Sequence, residues 1–373
     1  MPVQADTNDA RAYYDFAMDL LGRDDAKAAD ALYWATRLEP TWADAFYARR
    51  IALLLSDRPR LTRYWAGDKH TIQSDDVRRI DSLFYHALTL DPFVSQRLDR
   101  RLIEAVTDEI AMRNGRENGG DAGEIRALVD REMNAWPAAN RARLAYGDGR
   151  YSDALRLYAA AIESDETNGA LHADRARIFF DMHEPDSASA EFAAASRDLR
   201  TRAGKDVVPV YQSAALAEHG IGVIQSRLGH AAAAKAAYDR ALQDDPSYYP
   251  AHLQLARLAL DAKDTATAVA EVNLAAQLRP NDATVRYACG ATLAELGRAS
   301  QAEMHLRRAA DLNAVYAAPH FLLARVLEAQ GKKADAVAEY RVFLARAARG
   351  DMRRAEAESR LRSVASSVGQ EPR

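Results

Sequence analysis

Gly149-Arg-Tyr-Ser-Asp-Ala154, followed by Tyr158 and Ala161, places one large residue between two small ones at helical spacing. The arrangement recurs: Ala188, Phe192, Ala195; Ala234, Tyr238, Ala241; Ala268, Val272, Ala275; Ala302, Leu306, Ala309; and Ala336, Tyr340, Phe343. The first residues of these triplets are separated by 34, 46, 34, 34 and 34 residues, the longer interval holding extra residues around Thr201 to Pro209. A fixed period of this length is the signature of stacked supersecondary units.

Other marks keep the register. Twelve residues before each triplet from the second onward stands another small residue: Ala176, Gly222, Ala256, Gly290 and Ala324. Pro246 and Pro280 end second helices, and Gly229, Gly297 and Gly331 sit where a residue free to take positive φ would close a first helix. Small residues at fixed places let two helices approach closely, and the large residue fills the space between them.

On these residues the chain resembles the tetratricopeptide-repeat family, whose unit is a 34-residue helix-turn-helix. The resemblance implies an all-α fold, a helix-turn-helix solenoid wound as a right-handed superhelix with a C-terminal capping helix. It is most regular from about Arg141. Earlier, Ala28, Leu32, Ala35 and Pro40 mark one hairpin, and Ala43 to Pro92 holds another with an 18-residue insertion. The expected organisation is therefore degenerate hairpins over 1–136 with an inserted segment near 57–74, a regular array over 137–348, and a capping helix and tail over 349–373. Gly115 to Gly123 reads by composition as a mobile loop within a degenerate hairpin and a candidate hinge; Asp351 to Ser366 reads as the amphipathic cap.

Composition narrows the function classes. Fifty Lys+Arg against 54 Asp+Glu give a net charge of −4, which argues against broad nucleic-acid binding. No stretch approaches the roughly 20 apolar residues of a membrane span. MPVQADTNDA has no basic start followed by an apolar run, so as given it does not read as a signal peptide and favours a cytoplasmic over a periplasmic setting. Ala-, Arg- and Asp-rich usage suggests a bacterial source.

Catalytic motifs are missing: no HExxH, P-loop, GxSxG or paired-cysteine metal spacing. Gly147-Asp-Gly149 lies at a repeat turn. His172, His252 and His320 share one place in their repeats but are 80 and 68 residues apart, and metal ligands must converge on one ion; they read as packing residues. Cys289 reads as a small buried hydrophobe. No catalytic residue, cofactor or metal is expected, and no small-molecule substrate.

What remains is binding surface. In the family, particular first-helix positions line the inner groove. One of these, immediately after the small residue, holds Arg177, Val223, Arg257, Ala291 and Arg325; another adds Leu253, Tyr287 and Phe321. One turn on come Asp181, Asp261 and Glu295. Arginine beside aromatics suits a protein interface, though Arg177–Asp181 and Arg257–Asp261 read equally as i,i+4 pairs on a solvated face. The Lys and Asn set with which chaperone-binding relatives grip a peptide carboxylate is not matched. The insertion interleaves Arg58, Arg60, Arg63 and Lys69 with Tyr64 and Trp65, either a grip for a protein partner or a lid packed on the solenoid. The resemblance thus implies a non-catalytic scaffold or adaptor that binds a protein or peptide through its concave face. The alternative is a permanent accessory subunit of a larger complex, including one at a membrane.

Overall fold

The computed structural model describes residues 6–118, 137–202 and 213–368. Among the described residues the chain forms helices and no strands. The N-terminal helices are α1 Ala10–Leu20, α2 Asp25–Leu38 and α3 Ala43–Leu55. Two short helices, α4 Arg58–Trp65 and α5 Lys69–Ile72, occupy the insertion, before α6 Asp75–Leu90 and α7 Asp99–Asn118. Six consecutive pairs follow. They are α8 Ala138–Gly147 with α9 Tyr151–Ser164, α10 Gly169–Asp181 with α11 Pro185–Arg202, and α12 Ala214–Arg227 with α13 Ala231–Asp244. The last three are α14 Tyr249–Asp261 with α15 Thr265–Leu278, α16 Ala283–Glu295 with α17 Ala299–Leu312, and α18 Ala318–Ala329 with α19 Lys333–Arg346. Helix α20, Arg353–Val368, follows the last pair, where the amphipathic cap was expected.

One reading changes. Gly115 to Asn118 belong to α7, so the loop assigned from Gly115 does not begin there: backbone hydrogen bonding carries the helix through a glycine whose cost is only about 1 kcal/mol. The rest of that loop, and the hinge attributed to it, lie outside the described residues, as do the extra residues after Arg202.

The chain forms two compact units. One comprises residues 1–16, 33–42 and 245–373, the other 17–32 and 43–244, so the regular array contributes hairpins to both. Within the first, the N-terminal segment packs on the last two hairpins: Asn8 Nδ2 donates to the Ala345 carbonyl at 2.9 Å, and Asn313 Nδ2, just after α17, donates to the Arg37 carbonyl at 2.7 Å.

Each repeating pair is built from the residues that carry the period. All members of the six triplets are buried, at 5% exposure or less. A methyl group on Gly222 would lie 2.3 Å from the Tyr238 ring, and one on Gly290 2.7 Å from Leu306. Glycine here is thus a packing choice, matched to the bulk opposite.

The inter-helix turns share one geometry. Gly149, His183, Gly229, Lys263, Gly297 and Gly331 all have positive φ, between 61° and 79°. The next amide closes the helix by donating five residues back, as in Asp264 to Ala259 at 2.8 Å and Arg298 to Leu293 at 2.8 Å. At His183 and Lys263 a side chain occupies a conformation that costs an L-residue about 1–2 kcal/mol. Allowing for the greater chain entropy of glycine, Lys263→Gly should raise stability by about 0.5–1 kcal/mol, seen as a higher denaturation midpoint.

His219, on α12, is 1% exposed, its ring centroid 5.8 Å from that of Tyr238. Burial pushes its imidazole down to about 4 from 6.5. The folded state therefore binds fewer protons than the unfolded one between these values. Stability from the neutral ring is present in full above pH 6.5 and is lost as pH falls towards 4. About 3 kcal/mol should disappear over that interval, and His219→Gln should flatten this part of the urea-midpoint profile. An unchanged profile would show that another group governs the acid limb.

Candidate functional site

The predicted partner-binding residues separate by environment. On the first helices of the 245–373 unit, Arg257, Asp261 and Glu295 have side chains 59, 58 and 55% exposed. Arg257 Nε lies 3.3 Å from Asp261 and Nη1 3.7 Å from Glu295, so the i,i+4 pair forms and continues onto the next first helix. Arg325, also exposed, stands 4.0 Å from Glu356 on α20. These charges are solvent-facing and only loosely held, each pair worth a few tenths of a kcal/mol.

Their aromatic neighbours are engaged. Phe321 is 7% exposed and packs against Tyr340 and Phe343, with ring centroids 6.3 and 5.1 Å away. It belongs to the core and is no surface anchor, because the following helix places two aromatic residues against it. Tyr287 is half-buried, edge-on to Tyr316 at 5.5 Å.

Arg177 departs furthest from expectation. It is 1% exposed and does not pair with Asp181. Its Nε donates to the Pro92 carbonyl at 2.9 Å and its Nη1 to Asp174 at 3.2 Å, while Asp181 accepts from the Tyr146 hydroxyl at 2.8 Å. The covering is done by irregular residues. Phe93 stacks on Phe180 at 3.8 Å, and Phe93 and Phe192 lie edge to face. Burial lowers the Arg177 guanidinium from its ordinary value.

Arg177 ends a chain of alternating charges within the second unit. Arg50 Nε lies 3.1 Å from Asp81 and its Nη1 4.0 Å from Asp99; Arg143 Nη2 lies 3.3 Å from Asp174, which also holds Arg177. Tyr47 donates to Asp99, and the Tyr158 hydroxyl donates to Asp174 at 3.3 Å. Burial raises the Asp99 carboxyl above the ordinary carboxylate range, against the pull of Arg50 and Arg143.

The insertion covers this chain. Asp57, Asp68 and Ser74 cap α4, α5 and α6 through the amides of Arg60, Thr71 and Val77, and Leu61 is the buried residue of α4. Tyr64 accepts from Arg50 Nη2 and donates to Asp81, both at 3.3 Å. Tyr64 and Trp65 line a cavity of about 390 Å³ together with Arg50, Asp81, Asp99, Arg143 and Asp174. Arg63 points outward and is exposed. Tyr64 and Trp65 are therefore half-buried against the charge chain.

Arg50, Asp81, Asp99, Arg143 and Asp174 were not singled out from the sequence, yet two carried a signal. Arg143 lies 34 residues before Arg177, and Arg50 stands ten after Pro40, where Ala256 and Gly290 stand ten after theirs. An arginine in a place that demands a small residue must find buried partners.

The histidines pair within their own hairpins. His172 with Glu191, His252 with Glu271 and His320 with Glu339 meet Nδ1 to Oε2 at 2.7, 2.6 and 2.6 Å, always 19 residues apart. Arg286 and His305 occupy the same places in the intervening repeat, 3.3 Å apart. Cys289 is fully buried, its thiol donating to the Val272 carbonyl at 3.1 Å and pushed up to about 12 by burial. Among the described residues no helix is long and apolar enough to cross a membrane.

A sequence profile described as tetratricopeptide repeat matches residues 145–205 and 227–291. No curated protein matches the sequence. Among solved structures, yeast Tom70 is 12% identical with a TM-score of 0.47, covering 96% of this chain and 89% of its own. PilW, a type IV pilus biogenesis factor, is 20% identical at a TM-score of 0.43, covering 57% and 92%. YrrB, described as a TPR protein with an unusual peptide-binding site, is 19% identical at 0.37, covering 55% and 96%. Its profile match and its paired helices in 34-residue register show that the chain carries tetratricopeptide repeats.

Proposed function

We propose that the chain is a non-catalytic scaffold that holds a protein partner on the first-helix face of its 245–373 unit. The observation that carries this is the exposed run Arg257, Asp261, Glu295 and Arg325, charges of both signs left half open to solvent along successive first helices. Such a surface suits a polar segment of extended chain, whose own charges would replace weak intramolecular pairs. Arg177 and Phe321 take no part, being buried, and Tyr287 contributes at most an edge.

The test is crosslinking mass spectrometry on the tagged chain from its native cells, comparing wild type with Arg257→Glu/Arg325→Glu after circular dichroism has shown intact helix. Support is a stoichiometric partner whose crosslinks map to α14, α16 and α18 and disappear in the variant. A partner that persists, with crosslinks elsewhere, overturns the surface assignment.

A permanently docked accessory subunit is the second reading, favoured by one feature. Tyr33 and Trp34 are 40 and 44% exposed and cluster with Tyr13, an aromatic patch on α1 and α2. Crosslinks concentrated at that patch, with self-association of the isolated chain, would select it.

A further inference from the structure

In the 245–373 unit the N-terminal residues are tied to the last hairpins at separate polar points. The Arg349 amide donates to Asp6 Oδ2 at 2.5 Å, in addition to the bonds from Asn8 to Ala345 and from Asn313 to Arg37. Burial works against the Asp6 charge, but the Arg349 and Asn8 amides hold its carboxyl below the ordinary value. Along the same seam runs a cavity of about 360 Å³. The N-terminal residues contribute Leu38, Glu39 and Trp42 to its lining; Arg346 of α19, Arg353 of α20 and Tyr316, just before α18, come from the other side. A gap of this size is foreign to a close-packed interior, so the hydrogen bonds, more than interdigitated side chains, keep the seam shut.

The seam reaches the first-helix face. Tyr316 is 2% exposed and lies edge-on to Tyr287 of α16, the helix that also carries Glu295, with ring centroids 5.5 Å apart. Burial raises both hydroxyls above their ordinary value. The Glu39 carboxylate adds to the rise and the Arg353 guanidinium opposes it, so a charge from each side of the seam stands near both rings. Aromatic rings beside an arginine are the usual anchors of a tight interface.

We propose that residues 6–16 and 33–42 form a clasp that restrains the partner face, an autoinhibitory contact that rests on the surface proposed for this unit and adds its regulation. Closed, the clasp leaves the charged run Arg257 to Arg325 open but withholds Tyr316 and most of Tyr287. Opened, it releases both rings beside Arg353. A partner that uses the rings binds only the open fraction, and its apparent affinity is reduced by that fraction.

The test sets two variants of the full chain against each other. Asp6→Ala/Asn8→Ala removes two ties that precede α1 and so leaves every helix its own residues. Each net hydrogen bond holds opening back about fivefold, so the open-to-closed ratio should rise by more than about tenfold. Asn8→Cys/Ala345→Cys, bridged by a short bismaleimide, holds the clasp shut; Ala345 is exposed, and the buried Cys289 is spared. Hydroxyl-radical modification of Tyr316 should stand several-fold above the parent in the first variant and below it in the second, and the yield of captured partner should follow the same order. Unchanged modification of Tyr316 overturns the clasp. Modification that changes while capture on α14, α16 and α18 stays equal overturns its regulatory role and leaves the partner surface standing. A partner absent from the parent and the opened variant alike removes both.

Discussion

Asp81→Ala is expected to lower stability by about 3–5 kcal/mol, the cost of leaving a buried guanidinium without its partner. Asp81 is fully buried and Arg50 nearly so, with 3.1 Å between Nε and Oδ1. Truncating the acid also removes the acceptor of the Tyr64 hydroxyl, so the insertion loses its polar tie to α6. Asp99 stands 4.0 Å from Arg50 but already accepts from Tyr47, and it cannot take over both bonds. Arg50→Met with Asp81→Leu should recover most of the loss, because an apolar pair of similar volume has no desolvation to offset. Urea denaturation of Arg50→Met, Asp81→Leu and the double variant forms a cycle that isolates the coupling. A cost below about 1 kcal/mol for Asp81→Ala would mean that water reaches Arg50, and the charge chain would then be a surface feature.

The triplets were legible because helix pairing within a hairpin depends on residues of that hairpin alone. Ala268, Val272 and Ala275 are buried wherever such a hairpin forms, and the same holds for His252 against Glu271, which sit 19 residues apart. Burial decided by a neighbour was not legible. Arg177 and Arg257 occupy one place in the repeat, and Arg257 is exposed while Arg177 is closed over. The difference lies in Pro92 and Phe93, residues of a stretch that has lost the register, with Phe93 stacked on Phe180 of the same hairpin as Arg177. Phe321 is buried for a related reason: Phe343 fills the third place of its triplet, where the other repeats carry alanine, and reaches the ring. The exposed charges Arg257, Asp261, Glu295 and Arg325 stand at regular positions and were legible, whereas the buried charge chain forms where Arg50, Asp81 and Asp99 of the irregular stretch join Arg143 and Asp174.

Phe192→Ala is expected to cost about 3–5 kcal/mol and to do so locally. The ring is fully buried at the centre of its triplet, against Phe93 at 5.7 Å and the Arg177 guanidinium at 5.9 Å. It also fills the space that Gly220 leaves open, where a methyl group would come within 3.0 Å of it. Its removal leaves a cavity that the neighbouring helices cannot close, because Pro92 and Asp174 hold Arg177 in place on the far side. Val272→Ala, at the same place two triplets on, deletes less volume and should cost less, a difference that equilibrium denaturation would measure. In a repeat protein each hairpin is supported chiefly by its neighbours. Hydrogen exchange on Phe192→Ala should therefore lose protection in α10 to α12 and keep it in α16 to α19. Uniform loss along the chain would mean that the hairpins unfold as one body. The additive account of stability would then fail, and the buried charges around Arg177 would have to be counted towards the whole molecule and no longer towards one end of it.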